Sequence, residues 1–256
     1  MGNNLFVLKE LVKRDLQARY AGSLLGAAWS FAQPIWLLLL FTFVFSTVMR
    51  VQPLGSAAGS FGVFLLAGLL PWLAVQEGVL RASTAITDNA ALVKKLRFPS
   101  EILVLAVVAA AVVHEGIAVA LFLVVLGVTG DLAPAGLPLL LLALPLQLIL
   151  TVALGLLLAP LHVFVRDTAQ VLSMLLTGWF YLTPIVYPLG AVPERLRVWI
   201  ELNPLTALVG LYRQAFLGDA PPHWEALAGL GVGGTLLLLA GGMLFRRLKP
   251  AFVDEI

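Results

Sequence analysis

The chain has 256 residues, of which 61% are hydrophobic and 12% are charged, and its formal net charge is +2 at pH 7. That charged share is about half of what an ordinary soluble domain carries, so the composition excludes a water-soluble protein and predicts an integral membrane protein. The chain has no cysteine, which excludes disulfides and thiolate metal sites. Its three histidines lie far apart without ligand spacing, so no metal site is expected.

Six apolar runs approach the roughly 20 residues that a helix needs to cross a hydrocarbon core. Backbone polar groups must be paired within the segment in lipid, and the runs lack the alternation of barrel strands, so helices are expected. The predicted fold is all-α, with six transmembrane helices. The runs lie near residues 29–49, 61–80, 102–128, 137–159, 169–187 and 227–245.

The first 22 residues precede the first span and have the pattern of an amphipathic helix. The charged Lys9, Lys13 and Arg14 fall on other faces than the apolar side chains. Asp15 and Arg19 are four residues apart with the acid first, and this order of an ion pair favours a helix. Such a helix lies along a membrane surface. A basic flank that only fixes the topology is a second interpretation. The apolar positions are Leu5, Leu8, Val12, Leu16 and Tyr20.

Three aromatic residues of the first span, Trp29, Trp36 and Phe43, are spaced by seven. This spacing keeps them on nearly one helix face, with a drift of ~20° per step. Gln33 lies on the same face, so the stripe combines flat rings with a hydrogen-bonding amide. An alternative is that Trp29 anchors the helix at the membrane interface while the other rings pack against lipid or a neighbouring helix.

The connection after the second span, residues 86–100, is predicted to contain a short helix. Asp88 or Asn89 can cap its beginning, and Pro99 ends it. One face of this helix is basic, which suits docking to a soluble partner, although any cytoplasmic loop of a membrane protein is enriched in such residues. The basic residues are Lys94, Lys95 and Arg97.

Titratable side chains at membrane depth are costly and are functional candidates. Glu77 and Arg81 sit four apart in the second span and can pair locally. His114 and Glu115 lie near the middle of the third span. A pathway or proton-coupling role competes there with interhelical hydrogen bonding or polarity at a dimer interface, and we favour the latter.

Residues 188–218, between the fifth and sixth spans, are too polar to span and too apolar for a plain loop. Pro193 and Glu194 can begin one short helix, and Asn203 with Pro204 can begin another. Two short half-buried helices are therefore expected at the outer face. The charged residues of these helices could face water, a substrate or one another. They are Glu194, Arg195, Arg197, Glu201 and Arg213.

The sixth span begins with "GLGVGG", residues 229–234, which fits the letters of a dinucleotide motif. A dinucleotide site needs a strand before the glycines in a soluble βαβ unit, so we interpret Gly229 and Gly233 as a small-residue pair for close helix packing.

With the N-terminus inside, twelve of the sixteen Lys and Arg residues lie on the cytoplasmic side, and both termini are predicted to be cytoplasmic.

Five stretches, taken in order, cover nearly the whole chain and resemble the membrane subunits of ABC-2 type exporters that carry polysaccharides, the O-antigen, capsule and teichoic acid group. They are "RDLQARYAGSLLGAAWSFAQP", "LLPWLAVQEGVLRASTAITDNAALVKKLRFPSEIL", "FVRDTAQVLSMLLTGWFYLTPIVYP", "VPERLRVWIELNPLTALVGLYRQAFLG" and the short basic C-terminus. Order and spacing make the resemblance specific, because each piece alone is weak evidence.

This resemblance implies a cytoplasmic N-terminal helix (1–22), a six-helix transmembrane domain (29–245) and a cytoplasmic tail (246–256). It also implies that the short helices between the fifth and sixth spans (188–218) are re-entrant or interfacial. It implies a homodimer in the cytoplasmic (inner) membrane, paired with two copies of an ABC ATPase, that exports a lipid-linked polysaccharide. The chain has no G-x-x-x-x-G-K-[ST] phosphate loop, so ATP and magnesium are expected on the partner and no cofactor on this chain. No nucleic-acid partner is expected.

The resemblance also assigns roles to the residues singled out above. ATPase docking is expected at the surface helix and at the connection, through Lys9, Lys13, Arg14, Asp88, Asn89, Lys94, Lys95 and Arg97. The substrate path is expected to involve Trp29, Gln33, Trp36, Phe43, Trp179, Tyr181 and Tyr187. An alternative function is the export of drugs, lipids or other small amphiphiles. A third possible function is that of a membrane-embedded glycan-processing enzyme, although no paired acidic motif for that chemistry is visible.

Overall fold

The computed structural model describes residues 2–19, 26–51, 57–95, 99–219 and 223–256, and this part of the chain is helical without a strand. The expected all-α fold is confirmed. The helices are α1 (Gly2–Arg19), α2 (Trp29–Phe41, continued by a π-helix over Thr42–Val48), α3 (Phe61–Thr84), α4 (Ala90–Lys95), α5 (Glu101–Thr129), α6 (Leu140–Phe164), α7 (Thr168–Leu182), α8 (Glu194–Glu201), α9 (Pro204–Leu217), α10 (Trp224–Leu248) and α11 (Phe252–Glu255).

Four helical segments of the described chain are long and apolar enough to cross a membrane. They correspond to the second, third, fourth and sixth predicted spans. A shorter apolar helix covers Pro34–Val48, and α7 has 15 residues, so the count of six spans stays a prediction. The four segments are Phe61–Thr84, Glu101–Thr129, Pro134–Phe164 and Trp224–Glu255.

Local sequence explains where several helices begin and end. The Ser60 hydroxyl accepts a hydrogen bond from the amide of Val63 at the start of α3. Asn203 caps α9 as predicted, because its side chain accepts from the Leu205 amide while Pro204 occupies the first turn. Gly130 ends α5 at φ +82°, a left-handed conformation that glycine adopts without a steric penalty.

Contacts between distant segments define the two ends of the bundle. At the near end, which holds the C-terminal tail, the Lys249 Nζ lies 2.8 Å from Glu101 Oε2, and Phe252 packs edge-on against Phe245. At the far end, Asp131 accepts from the Gly59 amide at 2.9 Å, and Asp219 accepts from the Ala57 amide at 2.7 Å. These contacts hold the connections of each end against the helices they join.

The second predicted span, α3, is the centre of the bundle. In the most apolar 18 residues of each span, 78% are buried in α3 and only 22% in the segment that contains α10. The larger core cluster of the described residues packs around α3, which contacts α2, α5, α6, α7 and α9. The interior of the protein is therefore organised around α3, whereas α10 lies at the edge against α6.

Glycines bring α10 close to α6, but not the pair predicted from sequence. A Cβ added at Gly241 would lie 2.9 Å from the Ala153 carbonyl oxygen, and one at Gly234 would lie 3.1 Å from Ile149 Cγ2. A Cβ at Gly229 or Gly233 would meet no described atom within 4 Å. The packing assigned to Gly229 and Gly233 is thus not found within the protomer, where these residues line an open groove beside Leu150, Val198 and Pro204.

The close approach at Gly241 yields a stability prediction with a neighbouring control. Gly241→Val should destabilise the folded protein by about 1–3 kcal/mol, because the side chain would be forced against the backbone of α6. Gly242→Val should have a much smaller effect, since a Cβ there meets nothing within 4 Å. Thermal unfolding of both variants in detergent measures the difference, and equal stability of the two would contradict the proposed packing.

Candidate functional site

The surface helix α1 is tied to the membrane bundle at the near end by two polar contacts. The Arg14 Nη2 donates to Asn89 Oδ1 at 2.5 Å, just before α4. Both terminal guanidinium nitrogens of Arg81 in α3 donate to Asp15, one of them at 2.9 Å. Because α1 is bonded to both α3 and the connection that carries α4, these three segments form one polar contact surface.

The predicted docking residues are exposed around this surface. Lys9, Lys13, Arg14 and Lys94 are exposed, whereas Leu11 packs against the smaller core cluster. Of the predicted apolar positions, Leu8, Val12 and Leu16 are half-buried on the protein and Leu5 is 57% exposed. Residue Tyr20, the Lys95 side chain and residue Arg97 lie outside the described part of the structure.

Asp88 and Asn89 hold the turn that precedes α4. The Thr84 hydroxyl donates to Asp88 Oδ2 at 2.7 Å, and the side-chain Nδ2 of Asn89 donates to the Ala85 carbonyl at 2.9 Å. Leu92 and Val93 of α4 pack against the smaller core cluster, which leaves Lys94 exposed. The connection is therefore anchored by its polar turn and by two apolar side chains.

A chain of polar side chains continues from this surface into the bundle. Arg81 Nη1 lies 3.5 Å from Glu77 Oε1, so the local pair predicted from the spacing is present, but the closer partner of Arg81 is Asp15 of α1. Glu77 Oε2 lies 3.4 Å from His114 Nδ1 of α5. The polar contacts thus connect α1, α3 and α5.

Glu115 belongs to a second, fully buried network. The Gln147 Nε2 of α6 donates to Glu115 Oε2 at 2.5 Å, and the Tyr212 hydroxyl of α9 donates to Gln147 Oε1 at 2.7 Å. The three residues are 5%, 1% and 0% exposed, respectively. This arrangement agrees with the interhelical hydrogen bonding that we favoured for Glu115. Since a buried polar group is costly when it is unpaired, the network fixes the relative positions of α5, α6 and α9.

The turn between α7 and α8 is held by two side chains from the start and the body of α9. Asn203 Nδ2 donates to the Thr183 hydroxyl at 2.9 Å, and Asn203 Oδ1 accepts from Trp179 Nε1 at 2.8 Å. Arg213 donates to the carbonyl oxygens of Pro184 and Ile185, both at 2.7 Å. Pro184 and Ile185 lie beyond the last residue of α7, so their carbonyls are satisfied by this side chain and not by the helix.

Arg213 therefore does not behave as one of the surface charges considered in the sequence analysis. It is only 6% exposed, and its guanidinium carbon lies 3.7 Å from the centroid of the Phe64 ring, a cation–π geometry. Gly68 leaves room for it, because a Cβ there would lie 2.9 Å from Arg213 Nη2. The spacing of charges could not reveal this burial, because the partners are backbone carbonyls from another segment.

The aromatic stripe of α2 is exposed on the protomer. Trp29, Trp36 and Phe43 are 47%, 63% and 60% exposed, so none of the three rings is packed into the core of its own chain. The Gln33 side chain lies outside the described part. The stripe faces lipid, a second subunit or a substrate path.

The three residues around the end of α7 that were assigned to the substrate path have different environments. Tyr181 is 64% exposed. Trp179 is half-buried and packs edge-on against the buried Trp72 of α3, in addition to its bond to Asn203. Tyr187 is half-buried and its hydroxyl donates to the Tyr181 carbonyl at 2.9 Å. Trp179 and Tyr187 therefore stabilise the turn, whereas Tyr181 is accessible from outside the protomer.

The exposed side of α7 also carries polar residues that the sequence analysis did not single out. Gln170, Ser173 and Thr177 are exposed, and together with Tyr181 they are spaced by three or four residues, as expected for one helix face. Polar side chains on an apolar helix are unfavourable towards lipid. Their recurrence every three or four positions within an apolar run was the signal that could have identified this face.

Comparisons with known proteins place the chain among membrane transport proteins. Residues 7–217 match the family model described as ABC-2 type transporter. The chain is 32% identical over 252 residues to an O-antigen export system permease protein RfbA from Myxococcus xanthus, covering 98% of this chain and 95% of that protein. It is 30% identical over 256 residues to an RfbA from Klebsiella pneumoniae, covering 97% and 94%. It is also 24% identical over 250 residues to the polysialic acid transport protein KpsM from Escherichia coli, covering 97% and 95%.

The buried guanidinium of Arg213 gives a prediction for the α7–α8 turn. Arg213→Met should lower the free energy of unfolding by about 2–4 kcal/mol, because two buried carbonyls lose their donors. Arg213→Lys should fall between this variant and the wild type, since an ammonium cannot reproduce the fork of the guanidinium. Arg195→Met on the exposed side of α8 is the control. If thermal unfolding in detergent gave Arg213→Met the stability of Arg195→Met, the anchoring role would be refuted.

Proposed function

This chain belongs to the ABC-2 type transporter family, and on that premise we propose that it is the membrane subunit of an ATP-driven exporter of a lipid-linked polysaccharide. The observation that carries the proposal is the similarity to O-antigen export permeases along nearly the full length of the chain. Relatives named for polysialic acid transport point to the same class of long glycan. The chain supplies the membrane passage, in the inner membrane and with both termini cytoplasmic.

Energy for transport comes from a separate ABC ATPase, which binds ATP and magnesium. The sequence carries no phosphate loop, which supports the division of labour between two chains. Two copies of this chain pair with two copies of the ATPase. The near end is the cytoplasmic side in this arrangement, because it holds α1, α4 and the basic end of α10.

The ATPase docks on the surface formed by α1 and the connection containing α4. Lys9, Lys13 and Lys94 are exposed there, so a basic surface is available to a partner of opposite charge. The bond between Arg14 and Asn89 joins the two parts of that surface, and the ion pair between Asp15 and Arg81 joins it to α3. A displacement of the surface by the ATPase would therefore be passed to the central helix of the bundle.

The glycan passes between two copies of the chain, along the exposed faces of α2 and α7. Trp36 and Phe43 offer flat apolar faces to sugar C–H groups, while Ser173 and Thr177 offer hydrogen bonds to sugar hydroxyls. Weak contacts at several levels would hold a sliding chain without trapping it. The exposed face of α10 is different, because its large exposed residues, Val232, Leu236, Leu239 and Met243, are apolar and suit lipid.

Reversing the charge of the basic residues in the connection that contains α4 tests whether the ATPase docks there. The triple variant Lys94→Glu, Lys95→Glu and Arg97→Glu should reduce copurification of the ATPase at least about tenfold, because attraction becomes repulsion. Expression and thermal stability of the permease should not change. The control reverses Arg246 and Arg247, which are exposed at the same end but outside the proposed surface. Normal assembly and export in the triple variant would count against docking at this connection.

The aromatic stripe gives the test of the path. Replacing Trp36 and Phe43 together with Leu preserves hydrophobicity, so insertion should be normal, but export should slow several-fold and lipid-linked glycan should accumulate in the cytoplasmic leaflet. Pulse labelling of the glycan measures both quantities. Trp224→Leu with Phe164→Leu, also exposed but on other helices, is the matched control. A normal export rate in the Trp36 and Phe43 variant would show that the stripe faces lipid or packing partners.

A further inference from the structure

An open groove of ≈ 720 Å³ lies between α1 and α5. Its α5 wall consists of every fourth residue, Ala109, Val113 and Ile117, which share one face of that helix. Val113 is 45% exposed, so this wall is accessible from outside the protomer. The α1 wall is formed by half-buried apolar residues of the amphipathic pattern, which are Leu8, Val12 and Leu16.

The groove is basic at its exposed edge. Lys9 and Lys13 line it as well, four residues apart on one face of α1. Both lysines are exposed, and neither forms an ion pair within the described part of the chain. No acidic side chain of the described residues lines the groove. Two ammonium groups beside an apolar groove suit an anion that carries an apolar chain.

The opposite side of α1 is held by the bundle. Successive residues of a helix are rotated by about 100°, so Leu11 and Asp15 both lie nearly opposite Lys13. Leu11 packs against the smaller core cluster, and Asp15 bonds to Arg81 of α3. An amphipathic surface helix directs its apolar residues towards the acyl chains, so the groove opens where headgroups meet acyl chains.

We propose that this groove binds an anionic phospholipid, with its phosphate between Lys9 and Lys13 and one acyl chain along the α5 wall. Bonds from an ammonium to a phosphate are charge-assisted and therefore strong. From Ala109 to Ile117 the wall extends about 12 Å along the helix axis, which is most of one leaflet of a core about 30 Å thick. The lipid belongs to the cytoplasmic leaflet if the near end is cytoplasmic, as the proposed function has it, but the chemistry of the site does not depend on that assignment.

A bound lipid would have two consequences for the near end. It would contact α1 and α5 together, and so add to the bonds that α1 makes with α3 and with the connection containing α4. Its phosphate would also lower the positive charge that α1 offers to the ATPase, while Lys94 on the connection keeps its charge. The anionic lipid content of the membrane is therefore expected to affect how α1 is held and what the ATPase meets there.

Photolabelling of the full-length chain in phosphatidylcholine nanodiscs, without ATPase or glycan, tests the site. The two probes are phosphatidylglycerol and phosphatidylcholine that carry the same diazirine-bearing acyl chain. We expect saturable labelling of α5 by phosphatidylglycerol, competed by the unlabelled lipid and at least about tenfold stronger than by phosphatidylcholine, because two lysines favour the net negative head. Lys9→Gln combined with Lys13→Gln should make the two probes label equally. Lys94→Gln, at an exposed lysine outside the groove, is the control and should keep the preference.

Filling the groove separates this site from general contact with lipid. Val113→Trp should abolish saturable labelling by phosphatidylglycerol, whereas Val124→Trp, at a position of the same helix that is 64% exposed and outside the groove, should not. Equal or unsaturable labelling by the two lipids would overturn the proposal, as would a preference that survives the double lysine variant or Val113→Trp. Absence of labelling by either probe would mean that a second copy or another segment covers the groove, and would overturn it too. These results concern the permease alone, so the proposed export function would stand in each case.

Discussion

A polar group buried between helices must find its partner inside the protein, and this constraint explains the hydrogen bonds that connect the central helices of the bundle. The carbonyl oxygens at the end of α7 illustrate it. The chain leaves the helix there and forms a turn, so the carbonyls of Pro184 and Ile185 have no partner within their own segment. Arg213 supplies both donors, at a position that Gly68 keeps open. The irregular segment depends on a side chain from α9.

The same requirement arranges the centre of the bundle. Gln147 uses its amide nitrogen for Glu115 and its amide oxygen for Tyr212, so one side chain on α6 connects α5 and α9. Together with Asn203, which bonds to both Trp179 and Thr183, these contacts place α9 against the core. α9 is consequently fixed to the bundle by directional bonds as well as by apolar packing, which restricts its movements to ones that keep or exchange those bonds.

At the near end the polar contacts are of a different kind, because they lie between partly exposed residues. Arg81 is 35% exposed in its side chain and Asp15 is 16% exposed, so water can replace either partner at moderate cost. Such contacts can break and form again during a transport cycle, whereas the buried network around Gln147 cannot do so cheaply. The docking surface formed by α1 and the connection containing α4 is thus held less firmly to the bundle than α5, α6 and α9 are held to one another.

Much of the architecture could be predicted from local patterns. The composition indicated a membrane protein, the apolar runs placed the long helices, and Asn203 with Pro204 located the start of α9. Such features depend on residues close together in the chain, through helix periodicity and capping. The absence of a phosphate loop likewise depends on sequence alone.

Only the tertiary structure decided which residues meet across the chain. Arg81 has an acidic neighbour four residues away, but its closer partner is Asp15, 66 positions earlier. Gly234 and Gly241 contact α6 instead of Gly229 and Gly233, and Trp179 packs inward while Trp36 stays exposed. The physical reason is that lipid is as apolar as the core of the bundle, so hydrophobic periodicity marks a helix without marking its buried face. That face is set by the neighbouring helices, and the sequence pattern does not record which helices those are.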